Sequence, residues 1–502
     1  MSQNIAHHVL ASLQRSPKKT CIVVNGEAID KEGFHQLVTN YANLLKKNGA
    51  KSGDSILITV KISINFYAMA VATLAIGGAI VIINTTIGRK RINHCVRLAS
   101  PAVWVFEKTS WLKYIHFLIP SLWGVPIWVS LDDTDWRGTD QLLMRPEDVV
   151  VTDNALVTFT TGSTGMPKLL LRKHNFVLNQ SKALSIAFKT VMPNREEKDS
   201  TFLTNLNVFG LHFLVVGSTG MIHSNIRNFD CDKLLQHLRT YKSNSTVILG
   251  SPYFLNKIAV YCSQTKQPLP ADYAVMGGAP TYRRIMRSFK GLVPDDCCFT
   301  VYGCTEIEPI SFVSAKERLA VEDANSDGHC VGRPAFNDSV KVIRILTDEE
   351  SASENKMLED YEVAIGHTGE VVVTGWHVNT YQVTRTRILT AKDGKLWLRT
   401  EDAGYLDEEG RIWLVGRVKW RVDHDNKYYW SISVEQKVLD RCSLITFASY
   451  LPHQGKAWLV LEAPQGLPPV EQEGIMSMLR QDGTPVDVFK VLHSVPKDWR
   501  QT

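Results

Sequence analysis

Phe159 to Lys168 reads FTTGSTGMPK. Hydroxyl residues and glycines fill six consecutive positions, and a lysine closes the run. Gly, Ser and Thr let backbone N–H groups and hydroxyls converge on one anion, and Lys168 adds a mobile positive charge. The pattern is not the Gly-x-x-x-x-Gly-Lys-Ser/Thr loop. Gly162 and Gly165 stand too close, and Pro167 separates the second glycine from Lys168. A polar surface turn ending in lysine would look similar. The flanks argue for a phosphate loop: ALVTFTTG before it reads as a strand, and HNFVLNQSKALSIAF after it reads as a helix.

Two further stretches carry groups of the right kind. In VYGCTEIE, Val301 to Glu308, Tyr302 offers a flat face for a purine. Thr305 offers a hydroxyl to a phosphate, and Glu306 a carboxylate to Mg²⁺, which takes one or two carboxylates plus substrate phosphates. In TEDAGYLDEEGRIWLVGR, Thr400 to Arg417, the Asp402 carboxylate suits the two hydroxyls of a ribose. Arg417 would meet the ribose or a phosphate from the other side. Asp407–Gly410 (DEEG) reads as a hairpin turn with solvated acids. Taken singly, Glu306 and Asp402 also fit ordinary solvated turn carboxylates.

These residues need a scaffold. SILITV (Ser55–Val60), AIVIIN (Ala79–Asn84), AVWVFE (Ala102–Glu107) and PIWVSL (Pro126–Leu131) read as short strands, with helical stretches between the first three. That alternation predicts an α/β fold with parallel sheets and helix crossovers. From about Val340 the texture changes to short alternating strands with tight polar turns, which predicts a small antiparallel sheet. A tail of mixed pattern begins at GRVKWRVD, so a boundary is placed at Arg417–Lys419.

Bulk properties exclude several classes. A length of 502 residues calls for two or three domains. The net charge of +5 is small for that length, and no basic block suggests a nucleic-acid partner. Nine scattered cysteines contain no C-x-x-C pair, which fits free thiols in a reducing cytoplasm and argues against structural zinc. The N-terminus lacks the apolar core of a signal peptide. Phe66–Ile83 is uncharged and long enough to span a bilayer, but Gly77-Gly78 divide it into a helix and a β-branched strand. No transmembrane segment is therefore expected.

The order of the motifs is more specific than any one of them. The glycine-rich loop is followed by GGAP (Gly277–Pro280), Tyr-Gly-x-Thr-Glu, Glu-Asp-x-Gly-Tyr-x-Asp and Gly-Arg. In this order, over essentially the whole chain, the sequence resembles the adenylate-forming superfamily of acyl-CoA synthetases, peptide-synthetase adenylation domains and luciferases. The resemblance implies a large AMP-binding domain, residues 1–417, with its antiparallel subdomain at about 338–417. A small mobile α+β domain, 418–502, would follow, with Lys419 as hinge. It also implies ATP and Mg²⁺ as cofactors and a carboxylic acid as substrate. Thr160, Thr161, Gly162, Ser163, Thr164, Gly165 and Lys168 would hold the β- and γ-phosphates. Gly278, Ala279, Pro280 and Tyr302 would line the adenine site, with Gly303 and Cys304 in the same nucleotide-binding stretch. Thr305 would touch the α-phosphate, Glu306 hold Mg²⁺, Asp402 bind ribose, and Arg417 meet the ribose or a phosphate. Lys168, Thr305 and Glu306 would be catalytic, mainly by positioning and charge neutralisation as the carboxylate attacks the α-phosphorus.

Several stretches narrow the resemblance. Ile248–Cys262, Gly328–Ile345 and Gly416–Leu439 look like olefin β-lactone synthetases and neighbouring fatty-acid–CoA ligases. That branch implies an aliphatic acid, with a 3-hydroxy fatty acid as candidate, whose own hydroxyl displaces AMP. Transfer to CoA, a carrier thiol or an amine stays open as the alternative. VDHDNKYYW stands where CoA ligases carry Ile-Lys-x-x-Gly. Asp423 replaces the lysine and Asn426 the glycine, which disfavours the anionic CoA tail.

The sequence departs from the family pattern elsewhere. Leu169 and Glu401 occupy positions where glycine is usual, and Asn207, with Val208 and Phe209, stands near the usual gate to the acyl pocket. The chain ends at VPKDWRQT, where the family's terminal lysine would come, with Lys497 out of register, so the last domain reads as cut short. Loss of one such preorganised charge costs about 10²–10³ in rate. That departure motivates a reading from another class, a catalytically weak nucleotide or acyl-AMP binding protein.

Overall fold

The computed structural model describes residues 4–84, 87–107, 119–132, 142–161, 166–193, 195–225, 229–322, 327–353, 356–379 and 385–495. The chain divides into two compact units, one running to Ile248 and the other from Leu249 onward.

The first unit is α/β, as the strand–helix alternation predicts. A six-stranded sheet runs in the order Ile127–Ser130, Val103–Phe106, Ser55–Ile58, Ala79–Val81, Asn154–Thr161, Pro167–Lys173. All neighbours are parallel except the last pair. Near-continuous apolar strands suit a parallel sheet covered on both faces, and Ile56, Leu57, Ile80, Val81, Val103 and Trp104 are buried. The uncharged run at 66–83 resolves into a helix, Ile64–Ala75, and the Ala79–Val81 strand. Ser63 caps the helix by accepting from the Phe66 N–H. Gly77 follows at φ +82°, where a Cβ would stand 2.7 Å from Ser52 Oγ. Among the described residues no helix is long and apolar enough to cross a membrane. A second set of strands in this unit, Ser200–Thr204, Thr219–Ile222 and Thr20–Val24, pairs in parallel, with Glu27–Asp30 antiparallel at its edge.

The second unit holds the antiparallel sheet. Tyr273–Met276 pairs in parallel with Cys298–Cys304. From there the neighbours are antiparallel: Ile307–Ser314, His329–Pro334, Ile412–Arg417, Leu396–Leu406, Gly369–Val373 and Val340–Ile343. The antiparallel texture expected from about Val340 is present, and the ladder extends back to Cys298.

Residues from Val422 build a local α+β arrangement within the second unit. The helix Ser431–Arg441 packs with the strands Phe447–His453, Lys456–Glu462 and Val488–Leu492 around Val438, Leu439, Leu459, Leu461, Ile475 and Leu479. The Tyr282 hydroxyl donates to Glu435 Oε2 on that helix at 2.6 Å, and burial pushes the Glu435 carboxyl up to about 7. Pro496–Thr502, Lys497 among them, lie outside the described residues.

Candidate active site

The glycine-rich stretch joins two strands rather than a strand and a helix. Asn154–Thr161 and Pro167–Lys173 pair antiparallel, with Thr160 opposite Lys168 and Thr161 opposite Pro167. The helix read at HNFVLNQSKALSIAF starts at His174 as expected. PKLLLRK, between the loop and that helix, extends along its partner strand. Gly162, Ser163, Thr164 and Gly165 lie outside the described residues, and of Thr160 and Thr161 only the backbone is described. Lys168 is exposed.

Also in the first unit, Asn207, Val208 and Phe209 lead into the helix Phe209–Val216. The Tyr67 hydroxyl donates to the Asn207 carbonyl at 2.8 Å, and the Tyr67 ring lies against Gly210, where a Cβ would come within 2.3 Å of it. Phe209 is buried and Val208 exposed, and the Asn207 side-chain oxygen is buried without a hydrogen-bond partner.

The second unit brings the remaining candidates onto adjacent strands. Gly277–Pro280 follows the Tyr273–Met276 strand. A Cβ on Gly277 would sit 2.4 Å from the Val301 side chain, and Gly278 has φ +79°. Backbone crowding and a left-handed residue thus explain the two glycines of GGAP. Strands Cys298–Cys304 and Ile307–Ser314 form a tight hairpin in which Cys304 pairs with Ile307. Thr305 and Glu306 are therefore the two residues of its turn. Thr305 is exposed, whereas Glu306 is only 7% exposed. The Asn379 N–H donates to the Glu306 carbonyl at 2.7 Å and pins the turn.

A carboxylate buried this far needs a counter-charge. Arg387 Nη1 donates to Glu306 Oε1 at 2.6 Å. Arg387 Nε and Nη2 both donate to the Arg399 carbonyl, at 3.1 and 2.9 Å, which fixes the guanidinium plane. Burial opposes ionisation of Glu306, but the charge and hydrogen bond of Arg387 outweigh it and hold the carboxyl below its usual range.

Asp402 stands on the Leu396–Leu406 strand opposite Arg417 of Ile412–Arg417. Arg417 Nε lies 2.9 Å from Asp402 Oδ1, and the Tyr302 hydroxyl donates to Oδ2 at 2.8 Å. Burial dominates here and raises the Asp402 carboxyl, against the opposing pull of Arg417 and Tyr302. Tyr302 is 8% exposed and its hydroxyl is spent on Asp402, so it orients the carboxylate as well as offering a ring.

The segment before Asp402 is held by a buried acid. Arg399 Nε and Nη2 both donate to Glu370 Oε2, at 2.9 and 2.7 Å, and the Glu401 N–H donates to Glu370 Oε1 at 3.1 Å. Glu401 has φ +63°, which explains why glycine suits this position. In the neighbouring turn Asp407 is not solvated. It accepts from the Arg411 side chain at 2.6 Å and from Trp413 Nε1 at 2.8 Å, while Glu408 and Glu409 are exposed.

Lys419, the expected hinge, lies in a single 3₁₀ turn, Val418–Trp420, with its ammonium 5.3 Å from the Trp420 ring centre. The hairpin after it, Val422–His424 with Lys427–Tyr429, turns through Asp425 and Asn426, both at positive φ. Asn426 therefore serves the turn that a glycine would otherwise make.

Sequence reasoning missed Arg387, Glu370 and Arg399. Nothing in TRTRIL marks one arginine as the partner of a glutamate 81 residues away. Glu370, the one acid in the apolar strand GEVVV, was the available signal.

Among the described residues no three His, Cys, Asp or Glu side chains converge as a metal site. Glu306 fits Mg²⁺ as a single protein carboxylate, with a nucleotide's phosphates supplying the other oxygens.

Known proteins resemble this chain over most of its length. An olefin beta-lactone synthetase of Stenotrophomonas maltophilia is 26% identical over 409 residues, 75% of this chain and 70% of its own length. A 2-succinylbenzoate–CoA ligase of Arabidopsis thaliana is 23% identical over 89% of this chain and 83% of its own. The solved structure of ATP-bound MatB from Rhodopseudomonas palustris superposes with a TM-score of 0.76 at 18% identity, covering 100% of this chain and 97% of that one. The profile of the AMP-binding enzyme family matches residues 9–380, most of the chain. This protein belongs to the AMP-binding enzyme family, and it is an adenylate-forming ligase that activates a carboxylic acid.

Proposed function

We propose that this enzyme adenylates an aliphatic acid, with a 3-hydroxy fatty acid as the leading candidate, and closes it to a β-lactone. In the first step a carboxylate oxygen attacks the α-phosphorus of ATP. The bond from that phosphorus to the bridging oxygen of the β-phosphate breaks, and pyrophosphate leaves. In the second step the 3-hydroxyl attacks the acyl carbon, loses its proton, and AMP departs with the electrons of the acyl–oxygen bond. Lys168 and the glycine-rich loop bind the β- and γ-phosphates, Thr305 the α-phosphate, and Asp402 with Arg417 the ribose. Gly278–Pro280 and Tyr302 line the adenine site, and Lys419 is the hinge of a C-terminal domain, 418–502. Mg²⁺ held by Glu306 would neutralise phosphate charge.

One observation carries the choice of lactone closure. The hairpin after Lys419 turns on Asp425–Asn426 and carries Asp423 where CoA ligases carry a lysine, and Arg421 Nε pairs with Asp423 Oδ1 at 3.1 Å. The Asp423 position therefore offers no free cation to an anionic CoA tail. The similarity to an olefin beta-lactone synthetase over three quarters of the chain supports the same choice. The alternative, ligation to CoA, a carrier thiol or an amine, is supported by the likeness to a CoA ligase over 89% of the chain.

The experiment is pyrophosphate release from ATP with a panel of acids and no acceptor, with the product traced by mass. Lactone closure predicts sustained turnover with 3-hydroxy acids. Release that stalls after one equivalent until CoA or an amine is added sinks it. Lys168→Ala should lower acid-dependent release by about 10²–10³. No acid-dependent release from the wild type would favour the weak-binding reading instead.

A further inference from the structure

The carboxylate proposed to hold Mg²⁺ is already in use. Glu306 Oε1 accepts from Arg387 Nη1 at 2.6 Å, in a pocket where the two side chains are 10% and 20% exposed. The other two guanidinium donors toward this strand grip the Arg399 carbonyl, and Arg399 is itself fixed on Glu370. Arg387 therefore sits with one donor face committed to backbone and one to Glu306. A dication and a guanidinium cannot share one carboxylate oxygen without strong repulsion in a poorly solvated site.

A second acid lies within reach of that guanidinium's field. Arg387, Glu401, Asp348, Lys419 and Arg421 line one cavity of about 520 Å³. Glu401 holds a left-handed backbone that a glycine would adopt without strain, so a side chain is kept there despite its conformational cost. Its N–H is anchored on Glu370, which fixes the residue's position.

We propose that Arg387 is a positioning residue that competes with the divalent cation for Glu306, and that Glu401 offers its guanidinium an anion when metal–nucleotide displaces it. Arg387 then acts as a competitive counter-ion. It orients Glu306 and sets how much Mg²⁺ is needed to load nucleotide. Glu401 lowers that requirement by giving the displaced guanidinium an anion. The inference rests on Glu306 as the metal ligand.

The test is ATP binding by calorimetry, without acid substrate, across a Mg²⁺ titration. Arg387→Gln should lower the half-saturating Mg²⁺ by roughly fivefold or more, because the competing cation is gone. Glu401→Gln should raise it by roughly threefold, because the displaced guanidinium then loses a neighbouring anion. The double variant should follow Arg387→Gln, since Glu401 acts only through Arg387. An unchanged or raised Mg²⁺ requirement in Arg387→Gln overturns the proposal, as does an unchanged one in Glu401→Gln. If Arg387→Gln does not fold, Glu401→Gln at its exposed site decides alone. Glu306→Gln separates the two levels. If it leaves the Mg²⁺ dependence of ATP binding intact, the metal assignment of Glu306 fails. If it abolishes that dependence while the Arg387 and Glu401 variants change nothing, only the counter-ion role fails.

Discussion

Glu306 and Asp402 are both buried carboxylates bound to one arginine, yet their surroundings push their carboxyls in opposite directions. Glu306 sits at a hairpin turn, and its partner Arg387 is 20% exposed and tied to the Arg399 carbonyl. Asp402 sits mid-strand, and its partner Arg417 is 43% exposed. At Asp402 burial, with the like charge of Glu401 beside it, outweighs Arg417 and Tyr302 and raises the carboxyl. At Glu306 burial is outweighed by Arg387 together with hydrogen bonds from the backbone and from Cys304, and the carboxyl is lowered. An ion pair's worth depends on which partner faces water, more than on the distance between its atoms.

The comparison breaks most visibly when each arginine is removed. Arg387→Gln strands a buried carboxylate and should cost about 3–5 kcal/mol in urea unfolding. Arg417→Gln removes a half-exposed partner and leaves Asp402 accepting from the Tyr302 hydroxyl, and should cost only about 1 kcal/mol. Equal losses would mean that the two pairs are equivalent and the exposure argument is wrong.

The pH dependence of stability sharpens the same contrast. The folded-state pKa of Glu306 is depressed, so its contribution is present above its usual 4.5 and is lost as pH falls through the folded value. Glu306→Gln should remove part of the acid-side loss. The folded-state pKa of Asp402 is raised, so its contribution is present below its usual 3.8 and is lost as pH rises through the folded value. Asp402→Asn should change the slope of stability against pH with the opposite sign. Denaturant titrations from about pH 2 to about pH 7, which bracket the carboxylates' ordinary values, would show both.

The smallest effect concerns the backbone beside Asp402. Glu401→Gly relieves a left-handed residue at φ +63°. It should raise stability by a few tenths to about 1 kcal/mol, since glycine's extra freedom in the unfolded chain offsets part of the gain. A loss of stability would show that the Glu401 carboxylate contributes more than its strained backbone costs.

Local features were the legible ones. Asp425–Asn426 could be read as a turn because Asn tolerates positive φ, and both residues adopt it. The run at 66–83 could be split at Gly77-Gly78 because a glycine pair ends a helix, and the helix stops at Ala75. PKLLLRK was harder. Three leucines between cations fit a helix start as well as a strand, and only pairing with Asn154–Thr161 decides it. Asp407 looked like a solvated turn acid because its composition is that of one, but Trp413 and Arg411 enclose it from the next strand.

What the amino-acid sequence determined by itself is the class of chemistry. Five short motifs in order carry the resemblance to adenylate-forming enzymes, and turns, caps and glycine positions follow from interactions within a few residues. What only the tertiary structure decided is the state of the acids those motifs supply. Arg387 lies 81 residues from Glu306 and Tyr302 lies 100 from Asp402. Pairings at that separation leave no spacing to read, and the balance between burial and counter-charge exists only once strands have brought the partners together and excluded water.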